Sequence, residues 1–147
     1  YANQFDLFTA LAADLSELFV AAHKRPIPKT SLQDWRSLAE HFIATGVRVY
    51  RENPPARQLL IGSKAPPQVK LTDRFNDREV ASVMAGVCSR HFSAAEGADL
   101  ESAFYYFIEI TDLIFSLSII EHGDITDDMI QQARLAGIGY LANFLEY

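Results

Sequence analysis

With 147 residues, 49% of them apolar, the chain has the size of one domain and can bury roughly 70% of its unfolded surface. The net charge of −6 is unevenly spread: from Gly97 onward nine acids face one base, Arg134, whereas residues 1–96 carry ten acids and twelve bases. That balance excludes the C-terminal third as a surface for nucleic acid or anionic membrane, and the lone Cys88 excludes an intrachain disulfide framework.

In chain order, Asn3 is placed to cap a first helix with Asp6 in its first turn, and Phe5, Phe8, Leu11, Ala12, Leu15, Phe19 and Ala22 form its core face. Pro26 and Pro28 stop that helix, with His23, Lys24 and Arg25 suited to its C-terminal dipole. Thr30 and Gln33 have the form of a capping box, which predicts a second helix from there to about Glu52. Its apolar face is Trp35, Leu38, Ala39, Phe42, Gly46 and Val49. Asn53, Pro54 and Pro55 end it and open a short third helix through Ile61, closed by Gly62; SKAPPQVK reads as a loop. A fourth helix is expected from about Leu71 to Phe92, with Val80, Val83, Met84, Val87 and His91 on one stripe.

After a turn at Ser93 to Asp99 comes the most apolar stretch, Phe104 to Ile120, in a helix ended by Gly123. Large apolar groups on nearly every side predict a central helix covered almost all round. At 17 residues, interrupted by Glu109 and Asp112, the run is short for a membrane span of about 20 residues, and no signal peptide precedes it. Ser102, Tyr105, Glu109, Asp112 and Ser116 form one polar stripe along it, either solvent-facing or the wall of a cavity. Thr126 caps a last helix, with Asp127 and Asp128 in its first turn. No alternating strand pattern is present, so the expected fold is all-α, an antiparallel bundle of about six helices.

Catalytic constellations are absent from this pattern. Cys88 and His91, three residues apart, form a thiolate and imidazole pair, half a metal site, or plain packing residues; no second Cys/His pair completes a zinc site. No phosphate-binding glycine loop or nucleophile elbow occurs, so neither an enzyme nor a cofactor is expected. Glu109 and Asp112 are the one carboxylate pair in an apolar setting. If buried they require a proton or a nearby cation, and if exposed they are surface groups. On the last helix, Ala133, Ala136 and Gly137 permit close approach beside Tyr140 and Phe144, while Ile110, Leu113, Leu117 and Ile120 offer a second flank of the central helix. Two helices from each of two chains would make an isologous four-helix bundle.

The opening YANQFDLFTAL resembles the segment that follows the recognition helix in the TetR family of transcriptional regulators, with Tyr1, Asn3 and Leu7 fitting and Gln4 standing where a Lys is usual. RENPPARQLLIG is similar to that family's junction between its fifth and short sixth helices, and ITDDMIQQARLAGIGYL to its closing helix. The order and lengths of the helices match over the whole chain.

The resemblance implies that residues 1–147 are one regulatory domain, with a helix-turn-helix domain preceding residue 1. It implies a cavity walled by the second, fourth and central helices with the third at one end, and a dimer built from the last two helices. The pocket is then expected at Trp35, Phe42, Val83, Val87, His91, Tyr105 and Glu109, which combine apolar walls with a few polar groups. The dimer interface is expected at Ile110, Leu113, Leu117, Ile120, Ala133, Gly137, Tyr140 and Phe144. Implied partners are a second copy, a small-molecule effector, and operator DNA through the preceding domain only, in a cytoplasmic protein without a membrane role. A helical carrier of a small hydrophobic ligand, with no part in transcription, is the alternative.

Overall fold

Most helix boundaries have a local cause in the sequence. The computed structural model describes residues 4–61 and 67–146, so the Asn3 cap, the Phe5 side chain and the Gly62 helix end lie outside the described residues. Helix α1 (Gln4–His23) carries Asp6 in its first turn and His23 in its last. Its buried line runs through Ala12, Ser16, Val20 and His23, and Leu11, expected in the core, is exposed on the outer side.

Helix α2 (Trp35–Glu52) starts later than the Thr30 capping box predicts. Residues Lys29–Leu32 form a 3₁₀ turn instead, and Asp34 is the cap, its Oδ1 accepting from Ser37 N at 2.7 Å. That bond holds the Asp34 carboxyl below its usual range. Trp35, first in the helix, is buried beneath the turn, so starting here buries an indole that a helix begun at Thr30 would have to place mid-helix. Helix α3 (Pro54–Leu60) opens on the expected proline pair. Helix α4 (Pro67–His91) begins inside the stretch read as a loop, for the same reason: proline fits a first turn, and Pro67 starts a helix as Pro54 does.

Helix α5 (Leu100–His122) is capped by Asp99, which accepts from Ser102 N at 3.1 Å and from Ser102 Oγ at 2.8 Å. It is ended by Gly123 at φ 75°, whose N–H returns to Ile119 O. Helix α6 (Asp127–Leu141) is capped by Thr126, as the sequence predicts. The fold is all-α, with six α-helices and no strand among the described residues beyond one isolated bridge, Ala94 to Leu145, which ties the C-terminal segment to the α4–α5 turn.

α1 packs along α4, α4 along α5 and α5 along α6, while α2 crosses behind them and touches α1, α4 and α6. Phe104 and Phe107 of α5 are 1% exposed and meet edge to face at 5.9 Å, and Phe42 of α2 meets Phe104 the same way at 5.8 Å. α5 has the length and mean hydropathy, 1.6, of a membrane span, but Ala103, Phe104, Phe107, Ile108, Thr111, Phe115 and Ser118 are buried within the protein.

The close contact of α5 with α6 depends on Gly137: a Cβ there would lie 2.9 Å from Phe107 Cε2 and 3.0 Å from Thr111 Cγ2. The α5–α6 turn is fixed by buried Ser118, whose Oγ donates to Asp124 O at 2.6 Å and accepts from Thr126 N at 3.1 Å. Arg57 of α3 reaches Asp124 at 2.9 Å and Arg51 of α2 reaches Ile125 O at 2.9 Å, so both helices are tied to the turn.

Candidate functional site

Four helices converge on a small, partly open cavity. α1 supplies Phe19 and His23; α2 supplies Phe42, Ile43, Gly46 and Tyr50; α4 supplies Asp77, Val80 and Met84; α5 supplies Phe107, Ile108, Thr111, Asp112 and Phe115. The empty space is about 30 Å³, enough for a water or two and too little for an organic molecule. Aromatic rings make a large part of the wall: Tyr50 lies 4.6 Å from Phe19 and 6.3 Å from Phe115, centroid to centroid. Two carboxylates enter this apolar wall. Asp77 is 8% exposed, and Asp112 accepts from Tyr50 Oη at 3.1 Å.

His23, 6% exposed, completes the lower wall against Phe42, at 5.8 Å between centroids. Burial, followed by the charges of His41 and Arg48, pushes its pKa down to about 4, so the ring is neutral at pH 7. Its Nδ1 is buried without a hydrogen-bond partner. Among the described residues, His23 alone also lines a second, open cleft of about 350 Å³ between the α1 C-terminus and α4, bordered by Lys24, Arg25, Ile27, Val83, Val87, Arg90 and His91.

The sequence-predicted pocket residues are therefore dispersed. Phe42 is on the cavity wall. Val83, Val87 and His91 lie in the outer cleft. Trp35 is buried at the start of α2 with the Arg36 guanidinium over its ring at 4.5 Å, and Tyr105 is half-buried under the Arg78 guanidinium at 4.1 Å. Glu109 is half-buried, with Oε1 shut off from water. Cys88 is fully buried, its thiol pushed up to about 11 by desolvation, while His91 is exposed, so the two share a helix without sharing a site.

The polar stripe of α5 resolves residue by residue. Ser102 serves the helix cap, Tyr105 lies under Arg78 of α4, and Asp112 lines the cavity. Asp77 was missed from the sequence although a signal existed, since it precedes Val80 and Met84 by three and seven residues and so extends their apolar stripe by an acid. Tyr50 and Asp112, 62 residues apart, had no such signal.

A second feature lies on the opposite flank of α5. Tyr106, Ile110, Leu113, Leu117 and Ile120 recur at alternating steps of four and three, the spacing of a coiled-coil seam. Tyr106 is 50%, Leu113 62% and Ile120 57% exposed, and Ile110 is half-buried. Leu135, 61% exposed, and the small residues Ala136 and Gly139 continue the face onto α6. Tyr140 and Phe144 edge it, with rings 5.1 Å apart, and Tyr106 meets Tyr140 at 6.4 Å. Ala133 and Gly137 are buried on the other side of α6, and Gly137 there faces Phe107 and Thr111 of α5 in the same chain.

Residues 33–145, from the start of α2 through the C-terminal segment, match the family described as tetracyclin repressor-like, C-terminal domain. No curated protein and no solved structure matches the chain. The family match covers five of the six helices, including three of the four that wall the cavity and both that carry the apolar face. This chain belongs to the family of tetracyclin repressor-like C-terminal domains.

Proposed function

We propose that the chain is the effector-sensing and dimerising domain of a TetR-like cytoplasmic transcriptional regulator, a repressor released by a small hydrophobic or aromatic ligand. Operator binding belongs to a helix-turn-helix domain preceding residue 1. The observation that carries this reading is the double use of α5: one flank walls the aromatic cavity and the other presents the heptad-spaced apolar face. A ligand that enlarges the cavity displaces a helix of the dimer seam directly, with no intermediary element.

The α5–α6 turn, held by Arg51 and Arg57, supports the same coupling, because α2, another cavity wall, is fastened to the pair of helices that dimerises. The expanded and collapsed cavities must differ in effector affinity for the heads to respond. Along the seam, Ile110, Leu113, Leu117 and Ile120 of two copies interdigitate, flanked by Tyr140 and Phe144. Ala133 and Gly137 act from behind by seating α6 on α5.

Leu113→Glu tests the seam, because the side chain is exposed and its replacement leaves the core untouched. Sedimentation velocity is expected to show a dimer for the parent chain and a monomer for the variant, with helical circular dichroism unchanged. A dimer that survives Leu113→Glu rejects this seam. For the regulator itself, operator binding by the full-length protein, measured with and without an effector that fills the cavity, is expected to change. Ligand binding by a protein that never engages DNA selects the carrier reading instead.

A further inference from the structure

We propose that the outer cleft between the C-terminal ends of α1 and α4 binds a small organic carboxylate, its anionic group held by Lys24, Arg25 and Arg90 and its apolar body seated on Ile27, Val83 and Val87. The inference concerns a different site from the cavity of the sensing role proposed above, and it stands or falls separately from that role.

The charge of the cleft is the first reason. The chain carries 19 acids against 13 lysines and arginines, yet Lys24, Arg25, Arg90 and His91 border this cleft and no acid is among its described lining residues. Cations suit helix C-termini, and both helices end here, but the magnitude of that effect falls short. Each C-terminus supplies roughly half a negative elementary charge, so the two ends offset about one of the three permanent positive charges and leave about two. Among the described residues, no carboxylate forms an ion pair with Lys24, Arg25 or Arg90. The other basic cleft, between α2 and α6, differs in this respect: Arg48, Arg51 and Arg134 share it with Glu52 and Asp127, and Arg51 reaches Asp127 at 3.4 Å.

The shape and the apolar lining are the second reason. Val87 belongs to the core, Ile27 and Leu32 pack against it, and Val83 is half-buried, so the concave surface that carries the charges also carries apolar side chains. Pro26, on the same wall, has a fixed φ and stiffens the loop beside the space. At about 350 Å³ the cleft falls within the range of about 300–1,000 Å³ usual for small-molecule sites, whereas the central cavity is about 30 Å³. Three of the residues that the sequence marks as a pocket, Val83, Val87 and His91, meet here. A guanidinium offers a carboxylate two parallel N–H donors, and a lysine adds a point charge. The apolar side chains reward a body that a bare inorganic anion lacks.

The test titrates 2-naphthoate, the uncharged 2-naphthamide and inorganic phosphate into the chain by calorimetry. Naphthoate is expected to bind roughly tenfold or more tightly than either, because the amide lacks the charge and phosphate lacks the apolar body. Arg25→Gln with Arg90→Gln, both at exposed positions, is expected to weaken naphthoate about tenfold and leave naphthamide unchanged, with helical circular dichroism unaltered. Ile27→Ser is expected to weaken naphthoate and naphthamide alike and leave phosphate unchanged. Naphthamide or phosphate binding as tightly as naphthoate overturns the assignment, and so does naphthoate that fails to bind or keeps its affinity in the double arginine variant. Loss of naphthoate affinity in Arg48→Gln with Arg134→Gln instead moves the anion to the α2–α6 cleft and overturns the assignment equally. The dimer seam and the operator response are read by other measurements, so a failure here leaves the sensing role untouched.

Discussion

Acidification below neutral pH acts on a specific group in this fold, the imidazole of His23. It is 6% exposed, and its pKa lies at about 4 against 6.5 for the free side chain, through burial first and then the charges of His41 and Arg48. As the pH falls below 6.5 the unfolded chain takes up a proton at this ring while the folded chain does not. Stability is therefore fully present above pH 6.5 and is lost progressively toward pH 4. Each pH unit in that interval is worth about 1.4 kcal/mol, so the loss approaches about 3 kcal/mol over the whole window and about 2 kcal/mol by pH 4.5.

Urea unfolding of the parent chain and of His23→Gln, each at pH 7 and pH 4.5, isolates this contribution. The carboxylates and the half-buried His41, itself lowered by desolvation and by Arg48, titrate in both proteins. The parent chain is expected to lose about 2 kcal/mol more than the variant between the two pH values. Equal losses would refute the burial of a neutral ring at this position, and with it the lower wall of the cavity.

Gly137→Ala places a methyl group within 3.0 Å of buried Phe107, and overpacking outweighs the gain in helix propensity, for a net loss of about 1–2 kcal/mol in denaturant titration. A stabilised Gly137→Ala would mean that α5 and α6 are farther apart. Ser118→Ala leaves Asp124 O and Thr126 N without the hydroxyl that joins them, and a cost of about 1–3 kcal/mol is expected by the same measurement. Cys88, fully buried with its thiol pushed up to about 11, should resist iodoacetamide at pH 8 in the native chain and react fully in urea; rapid native labelling would show that α4 is not seated as described.

Which parts of this architecture are legible in the sequence depends on how far the causes reach. Helix ends are set by a few neighbouring atoms. Gly123 in the left-handed region, the Thr126 hydroxyl and the Pro54 first turn were readable residue by residue. Where two local signals compete, the choice passes to packing. Thr30 and Asp34 both suit a helix start, and the burial of Trp35 favours Asp34.

The outward apolar flank of α5 was also legible, since Ile110, Leu113, Leu117 and Ile120 recur at steps of three and four and stand half-buried or exposed. The cavity was not. A helix apolar nearly all round has no preferred inner side, so periodicity alone cannot say which line of α5 meets α4 and which meets α2. That rotation is fixed by Gly137 admitting Phe107 on one flank and Tyr50 reaching Asp112 on another. Once it is fixed, Asp112 lines the cavity together with Asp77 of α4, and Glu109, three residues away on the same helix, is not among the described lining residues. Composition and local chemistry thus determined the helices and their order. The chemistry of the site arises where four of them meet, because that meeting depends on side-chain shapes far apart in the chain.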